Sequence, residues 1–238
     1  RDVAPSRGLG DVYKRQVTIF MMLFGVNFNA YYIMIFGSIK KALSMEEVRA
    51  YFGIILTAIV IITINIYSIC SGVWDAVTKS AFQVGSIITT TGFATTDFNI
   101  WPQTSKTILV LLMFVGACAG STGGGIKVSR FIIGIKTIFR EIQSYIHPKS
   151  VKVIKTEGKP VDSETCRSVS IYFITFIMIF TASLLLISIE GKDIVTNFTA
   201  VAATINNIGP GLSAVGPTQN FGSCLLYTSP SPRDGATS

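Results

Sequence analysis

Four long apolar runs constrain the fold of this chain more than any other feature of its sequence. They occupy residues 17–36, 51–69, 104–138 and 169–189. About 20 apolar residues in a helix are enough to cross the ~30 Å hydrocarbon core of a bilayer. Only 14% of the residues are charged and the mean hydropathy is +0.54, whereas soluble domains carry about 25% charged residues. The sequence therefore predicts an all-α integral membrane protein.

The positions of the basic residues predict the orientation of the spans. The formal net charge is +7, which by itself would be compatible with nucleic-acid binding. Nine of the 20 lysines and arginines, however, lie in two loops between apolar runs, at residues 37–49 and 139–167, while residues 70–106 and 190–193 carry only three. Because cytoplasmic loops are enriched in Lys and Arg, we expect a multi-pass protein of the inner (plasma) membrane that does not bind nucleic acid.

A short apolar segment at residues 76–88 ends in the sequence Thr89-Thr-Thr-Gly-Phe93. The segment is too short to span a bilayer, and Asp75 is a good candidate for its N-cap. Irregular backbone survives at membrane depth only where it is buried in protein or lines a water-filled cavity. Carbonyls and threonine hydroxyls can replace the water shell of an alkali cation, and a helix C-terminus favours positive charge. We predict a pore helix and part of a cation filter; the alternative is a solvent loop between spans.

The same plan recurs at residues 193–211. Asp75-Ala-Val-Thr is matched by Asp193-Ile-Val-Thr, so Asp193 is the candidate N-cap of a second short apolar segment at residues 194–205, which runs into Asn-Asn-Ile-Gly-Pro-Gly. The glycines of the two stretches fall almost the same distance downstream, which indicates an internal repeat. The predicted cation ligands, mainly backbone carbonyls, are Thr90, Thr91, Gly92 and Phe93 in the first stretch and Asn206, Asn207, Ile208 and Gly209 in the second.

The run at residues 104–138 is too long for one span, because a single helix would measure about 50 Å. Its glycine-rich middle predicts two half-helices joined by a flexible intramembrane loop, since each glycine costs roughly 1 kcal/mol in a helix. A phosphate-binding loop is rejected, because Gly125 is followed by Ile126 rather than lysine. Either an ion gate or a helix-packing glycine patch fits the pattern. The candidate gating residues are Gly116, Gly120, Ser121, Thr122, Gly123, Gly124, Gly125 and Lys127.

These three motifs resemble those of the Trk/Ktr/HKT potassium-uptake family, and the chain is most similar to its bacterial Trk-type pore subunits. That family folds as four M1–pore helix–M2 repeats of a potassium-channel-like pore. The resemblance implies a partial pore with the following divisions: a foreign-looking tail at 1–16, the last helix of repeat two plus a cytoplasmic loop at 17–49, repeat three at 50–138, a cytoplasmic linker at 139–167, repeat four without its final span at 168–221, and a second foreign-looking tail at 222–238.

The resemblance also implies the activity and the partners. We expect transmembrane transport of potassium ions with no cofactor besides the transported ion, contact with membrane lipid, a homodimer, and a cytosolic nucleotide-binding regulatory subunit. A sodium-coupled or sodium-permeable transporter of the Ktr/HKT kind and a non-conducting membrane scaffold are the alternatives. An enzyme is not expected, because no span carries a constellation of His, Asp, Glu or Cys, and Glu190 and Asp193 lie in a turn.

Overall fold

The computed structural model describes residues 10–147 and 153–217, and these residues form an almost entirely helical protein. A two-stranded antiparallel hairpin, β1 (Lys155–Thr156) and β2 (Lys159–Pro160), is the exception in this part of the chain. The helices are α1 (Asp11–Phe24), α2 (Phe28–Phe36), α3 (Ile39–Leu43), α4 (Glu46–Ile66), α5 (Val73–Ile88), α6 (Gln103–Phe114), α7 (Val128–Ile146), α8 (Ser163–Ser188) and α9 (Ile194–Ile205).

Two of these helices are long and apolar enough to cross a membrane by themselves, namely α4 with its short 3-10 extension (Glu46–Ile69) and α8. Helix α8 buries little of its surface and exposes large apolar side chains, among them Ile174, Met178 and Leu185. Such a surface is unfavourable in water but is ordinary in contact with lipid tails, which are as apolar as leucine. The described chain is therefore a membrane protein, as its composition predicts.

The same packing arrangement of helices occurs twice, once around α5 and once around α9. Helix α5 packs against α4, the span that precedes it, and against α1 of the preceding unit. Helix α9 packs in the same way against α8, the span that precedes it, and against α6 of the preceding unit. Each short helix is thus held between the first span of its own repeat and the last span of the repeat before it. This is the arrangement that the internal repeat in the sequence predicts.

The first apolar run is not the single helix that we expected at residues 17–36. It forms two helices, α1 and α2, which are bent by 91° at their break, and Asn27 caps α2 by accepting a hydrogen bond from the backbone N–H of Asn29 at 2.8 Å. The helix also begins earlier, at Asp11, so residues 11–16 of the presumed tail continue α1. Residues 1–9, 148–152, 218–221 and the second presumed tail at 222–238 lie outside the described residues.

Sequence predicted one of the two pore-helix caps correctly. Asp193 caps α9, where its carboxylate accepts hydrogen bonds from the backbone N–H groups of Val195 and Thr196. The hydrogen bond from Thr196 lowers the pKa of Asp193 below its ordinary value. Asp75, in contrast, is not a cap: α5 begins at Val73 after Gly72. Because Asp75 already lies inside the first turn, its carboxylate reaches back to the N–H of Ser71 at 3.2 Å and pairs with Lys79 at 2.6 Å.

We predict that Gly25→Ala destabilises the protein by about 1–3 kcal/mol, because an added methyl overpacks this site. A Cβ at Gly25 would overlap the hydroxyl of Tyr51 and lie 3.0 Å from Cγ2 of Thr89. The measurement is the midpoint of denaturant unfolding in detergent micelles. Gly53→Ala is the matched control, since a Cβ at this position inside α4 meets nothing within 4 Å. Equal effects of the two substitutions would contradict the packing at the break.

Candidate cation filter and gating loop

The turns that follow α5 and α9 have the same backbone geometry. Thr90 and Asn207 both lie in the left-handed region, at φ 55° and 58°, and so do Gly92 and Gly209, at φ 76° and 113°. Asparagine tolerates this region, but threonine is β-branched and rarely adopts it. A residue held there costs on the order of 1–3 kcal/mol and persists only when its surroundings impose it. Two stretches with different side chains therefore adopt one strained turn.

The side chains at the two helix ends also make equivalent hydrogen bonds. The hydroxyl of Thr89 donates to the carbonyl of Gly85 at 2.7 Å, four residues earlier. The amide of Asn206 donates to the carbonyl of Ala202 at 2.9 Å, again four residues earlier. Each of these carbonyls also accepts the backbone N–H of the same residue, at 3.1 Å for Thr89 and 3.2 Å for Asn206. The capping geometry is thus shared, although the residue types differ.

The two turns contact each other through their glycines. A Cβ on Gly92 would overlap the carbonyl oxygen of Ile208, while the nearest atom to a Cβ on Gly209 is Cα of Gly92, at 3.8 Å. Only a residue without a side chain allows the carbonyl of Ile208 to approach Gly92 this closely. The structure therefore brings the two predicted halves of the filter together side by side.

Hydroxyl groups brace the first turn from within. Thr91 and Thr89 share a hydrogen bond of 2.8 Å, in which Thr91 is the donor because Thr89 already donates to Gly85. The hydroxyl of Ser86 donates to the carbonyl of Phe93 at 2.6 Å. Phe93, which we included among the cation ligands, therefore uses its carbonyl within the protein.

The glycine-rich loop lies directly against both turns. The backbone N–H of Gly124 donates to the hydroxyl of Thr90 at 2.7 Å, which gives the strained threonine a tertiary partner. A Cβ on Gly124 would lie 2.9 Å from the carbonyl oxygen of Asn206, and one on Gly123 would lie 3.4 Å from that of Thr89. One loop thus contacts the end of α5 and the end of α9 at the same time.

The loop is held in place rather than flexible, which corrects our expectation. Its two ends pair with each other: the N–H of Gly116 donates to the carbonyl of Ile126 at 2.7 Å, and that of Val128 donates to Ala117 at 3.3 Å. The ammonium of Lys127 donates to the carbonyl of Gly123. Glycine makes the backbone of an isolated loop mobile, but here hydrogen bonds to other parts of the fold restrict that mobility. Gly120 and Gly125 take positive φ angles of 66° and 69° within this loop.

The loop also completes the hydrogen bonds of the broken first span. A helix ends with four carbonyls that have no partner in the helix. At the end of α1 all four of these carbonyls accept a hydrogen bond: Met22 from Tyr51, Leu23 from Tyr31, Phe24 from Thr122 and Gly25 from Cys118. In return, the carbonyl of Gly120 accepts from the N–H of Phe28 at 3.1 Å, at the start of α2. Backbone groups exposed at the two helix breaks therefore form hydrogen bonds with each other.

Glu47 was not among the predicted site residues. It is buried, at 5% exposure, and accepts hydrogen bonds from the backbone N–H groups of Ala119 and Ser129, at 2.6 and 3.2 Å. A signal for it was present. Glu47 lies on the same helical stripe as the buried residues Tyr51 and Ile55, at a spacing of four residues. An ionisable side chain on the buried stripe of a membrane helix is a candidate functional position.

An open cavity of about 530 Å³ borders this site. It runs along α1 and reaches the hydroxyl-bearing residues Thr89 and Thr91 of the first turn and Thr122 of the loop. The turn and the loop are therefore accessible from the same side of the structure.

Paired half-helices, matching left-handed turns and a broken span beside them define a helical membrane protein built of internal repeats. The comparison with known families agrees. The chain belongs to the TrkH family, described as cation transport proteins, because the sequence model of that family matches residues 15–224.

Relatives with established names are Trk system potassium uptake proteins. The chain is 34% identical to TrkH of Salmonella typhimurium, in an alignment that covers 87% of this chain. It is 33% identical to TrkH of Escherichia coli K12, over 84% of this chain, and 33% identical to TrkG of the same strain, over 87% of this chain. The crystal structure of the potassium transporter TrkH from Vibrio parahaemolyticus is similar with a TM-score of 0.83 and 29% identity, over 93% of this chain.

The chain spans less than half the length of these relatives. It covers 43% of the Salmonella protein, 42% of E. coli TrkH, 44% of TrkG and 48% of the Vibrio chain. The match identifies the family and the fold of this part.

Proposed function

We propose that this chain forms part of the pore subunit of a Trk-type potassium uptake system, in which carbonyls of the two turns coordinate the cation. The observation that carries the proposal is the pair of left-handed turns in contact at Gly92 and Ile208. Each turn ends a half-helix, whose C-terminal end favours positive charge. Carbonyl dipoles arranged around one axis can replace the hydration shell of potassium.

The proposed ligands are the carbonyls of Thr90, Thr91 and Gly92 in the first turn and those of Asn207, Ile208 and Gly209 in the second. Phe93 contributes less, because its carbonyl accepts the hydrogen bond from Ser86. The hydroxyls of the first turn are secondary, since they brace one another. The ion path follows the cavity beside α1, which connects Thr91 of the turn with Thr122 of the loop.

The glycine-rich loop at residues 116–127 is the proposed gate. It touches both turns through Gly123 and Gly124, so an ion that leaves the turns meets the loop next. A helix-packing glycine patch would contact other helices along a face, whereas this loop lies against the carbonyls of Thr89 and Asn206, at the ends of the two half-helices, and against the hydroxyl of Thr90. Intramembrane helix breaks at such positions are typical of ion pathways.

The remaining features of the proposal rest on the family resemblance. We propose an inner-membrane, multi-pass location, a homodimer and a cytosolic nucleotide-binding regulatory subunit, and no enzymatic activity. The mass of the full-length transporter in detergent, measured by light scattering with and without the regulatory subunit, tests the two assemblies. A monomeric mass would contradict the dimer.

We predict that Gly92→Ala abolishes selective uptake and that Gly209→Ala impairs it less. Both substitutions place a side chain at positive φ, but only a Cβ on Gly92 also overlaps the carbonyl of Ile208. The assay uses a chimera in which residues 15–217 replace the matching part of E. coli TrkH, expressed in cells that lack potassium uptake. Growth at low potassium and the preference for potassium over sodium are measured.

Gly191→Ala is the matched control for this test. Gly191 also has a positive φ, of 68°, but a Cβ there meets nothing within 4 Å, and the residue lies in the turn before α9. The control should transport potassium selectively. An unchanged potassium preference in both filter variants would refute the filter. A parent chimera without potassium uptake would favour a non-conducting scaffold, and a chimera that prefers sodium would favour the Ktr/HKT-like alternative.

We also predict that deletion of residues 121–124 raises potassium flux at equal membrane expression. The deletion removes the hydrogen bond from Gly124 to Thr90 and the contact of Gly123 with Thr89, so the path beneath the turns opens. Flux is measured by rubidium uptake into cells that express the same chimera. Flux equal to that of the parent chimera would support the packing role of the glycines instead.

A further inference from the structure

One buried side chain, Glu47, contacts the gating loop at both of its ends. Oε1 of Glu47 accepts the backbone N–H of Ala119 at 2.6 Å and that of Ser129 at 3.2 Å. Ala119 lies near the start of the loop and Ser129 just after its end. A single oxygen on α4 therefore holds both sides of the loop.

The second oxygen of the same carboxylate reaches the other helix break. Oε2 of Glu47 accepts a hydrogen bond from the side-chain amide of Asn27 at 3.3 Å. The orientation of Asn27 is set independently, because its Oδ1 accepts the N–H of Asn29 and so caps α2. Asn27 thus has to present its NH₂ group, and Glu47 has to present an acceptor.

We infer that Glu47 is a positioning residue for the gate: it holds the loop against the filter turns by accepting three hydrogen bonds from the two broken spans. This inference rests on the proposed function. A carboxylate is suited to the role, because it accepts at both oxygens and donates at neither when ionised. Hydrogen bonds to a charged group are also stronger than those between neutral groups. Loss of these bonds releases the loop and raises ion flux.

The neighbouring acid, Glu46, provides a matched control. It precedes Glu47 by one residue on α4, but its carboxylate is 40% exposed and pairs with Lys136 at 2.6 Å. Replacement of Glu46 therefore removes the same charge from the same helix turn, but it breaks no hydrogen bond to the loop.

The test exchanges donor and acceptor between positions 27 and 47. In Glu47→Gln the new NH₂ group faces the NH₂ group of Asn27, and in Asn27→Asp two carboxylates face each other. In the double variant the amide of Gln donates to the carboxylate of Asp, which still caps α2. The hydrogen bond between positions 27 and 47 is restored with its direction reversed, and the side-chain oxygen of Gln accepts from the N–H groups of Ala119 and Ser129.

Two readouts are used. In this chain, reconstituted in lipid nanodiscs, hydrogen exchange of the Ala119 and Ser129 amides should be about tenfold faster in each single variant, because the mismatched pair at positions 27 and 47 turns the side chain at position 47 away from these two N–H groups. The double variant should return to within a few-fold of the parent, and Glu46→Gln should match the parent. In the chimera, rubidium flux at equal expression should rise about fivefold in the single variants and fall back in the double variant.

The outcomes separate this inference from the proposed function. Parental exchange rates in Glu47→Gln, or a double variant no closer to the parent than the single variants, would overturn the positioning role. Faster exchange with unchanged flux would overturn the link to gating. If the parent chimera carries no potassium, the proposed function fails, while the exchange rates still decide whether Glu47 holds the loop.

Discussion

The structure depends on how unpaired backbone groups are satisfied where two membrane helices break. Lipid offers no hydrogen bonds, so every N–H and C=O that a broken helix exposes needs a partner from the protein. Here the break between α1 and α2 and the break between α6 and α7 supply each other with hydrogen-bond partners. The backbone N–H of Cys118 donates to the carbonyl of Gly25, and that of Phe28 donates to the carbonyl of Gly120. Neither break would be stable alone. Their mutual pairing places the glycine-rich loop in one position, directly against the two turns.

The two repeats share a backbone conformation, but different side chains stabilise it in each repeat. Thr90 and Asn207 occupy the same left-handed position, yet only Thr90 receives a hydrogen bond from the loop, through Gly124. Gly92 and Gly209 correspond as well, but the carbonyl of Ile208 crowds only Gly92. Once repeats are joined in one chain they no longer need identical sequences, because each position faces a different neighbour.

Much of the architecture could be predicted from local pattern. The length of the apolar runs identified α4 and α8, the break in the run at residues 104–138 was recognised from its glycines, and Asp193 was recognised as a cap. The errors have physical causes. The run at residues 17–36 reads as one apolar helix, since its break is stabilised by partners that are distant in sequence. Asp75 was taken for a cap because its residue type fits, but α5 begins at Val73.

Sequence by itself determined the class of the protein, the two long spans α4 and α8, and the presence of two short helices that end in glycine turns. Hydrophobic length, helix capping and glycine all act locally, so they can be read from the chain. The tertiary structure alone decided that the two turns touch, that the loop lies against both, and which backbone N–H groups Glu47 accepts. These contacts join residues as far apart as Glu47 and Ser129, and no local pattern specifies which distant N–H group will need which acceptor.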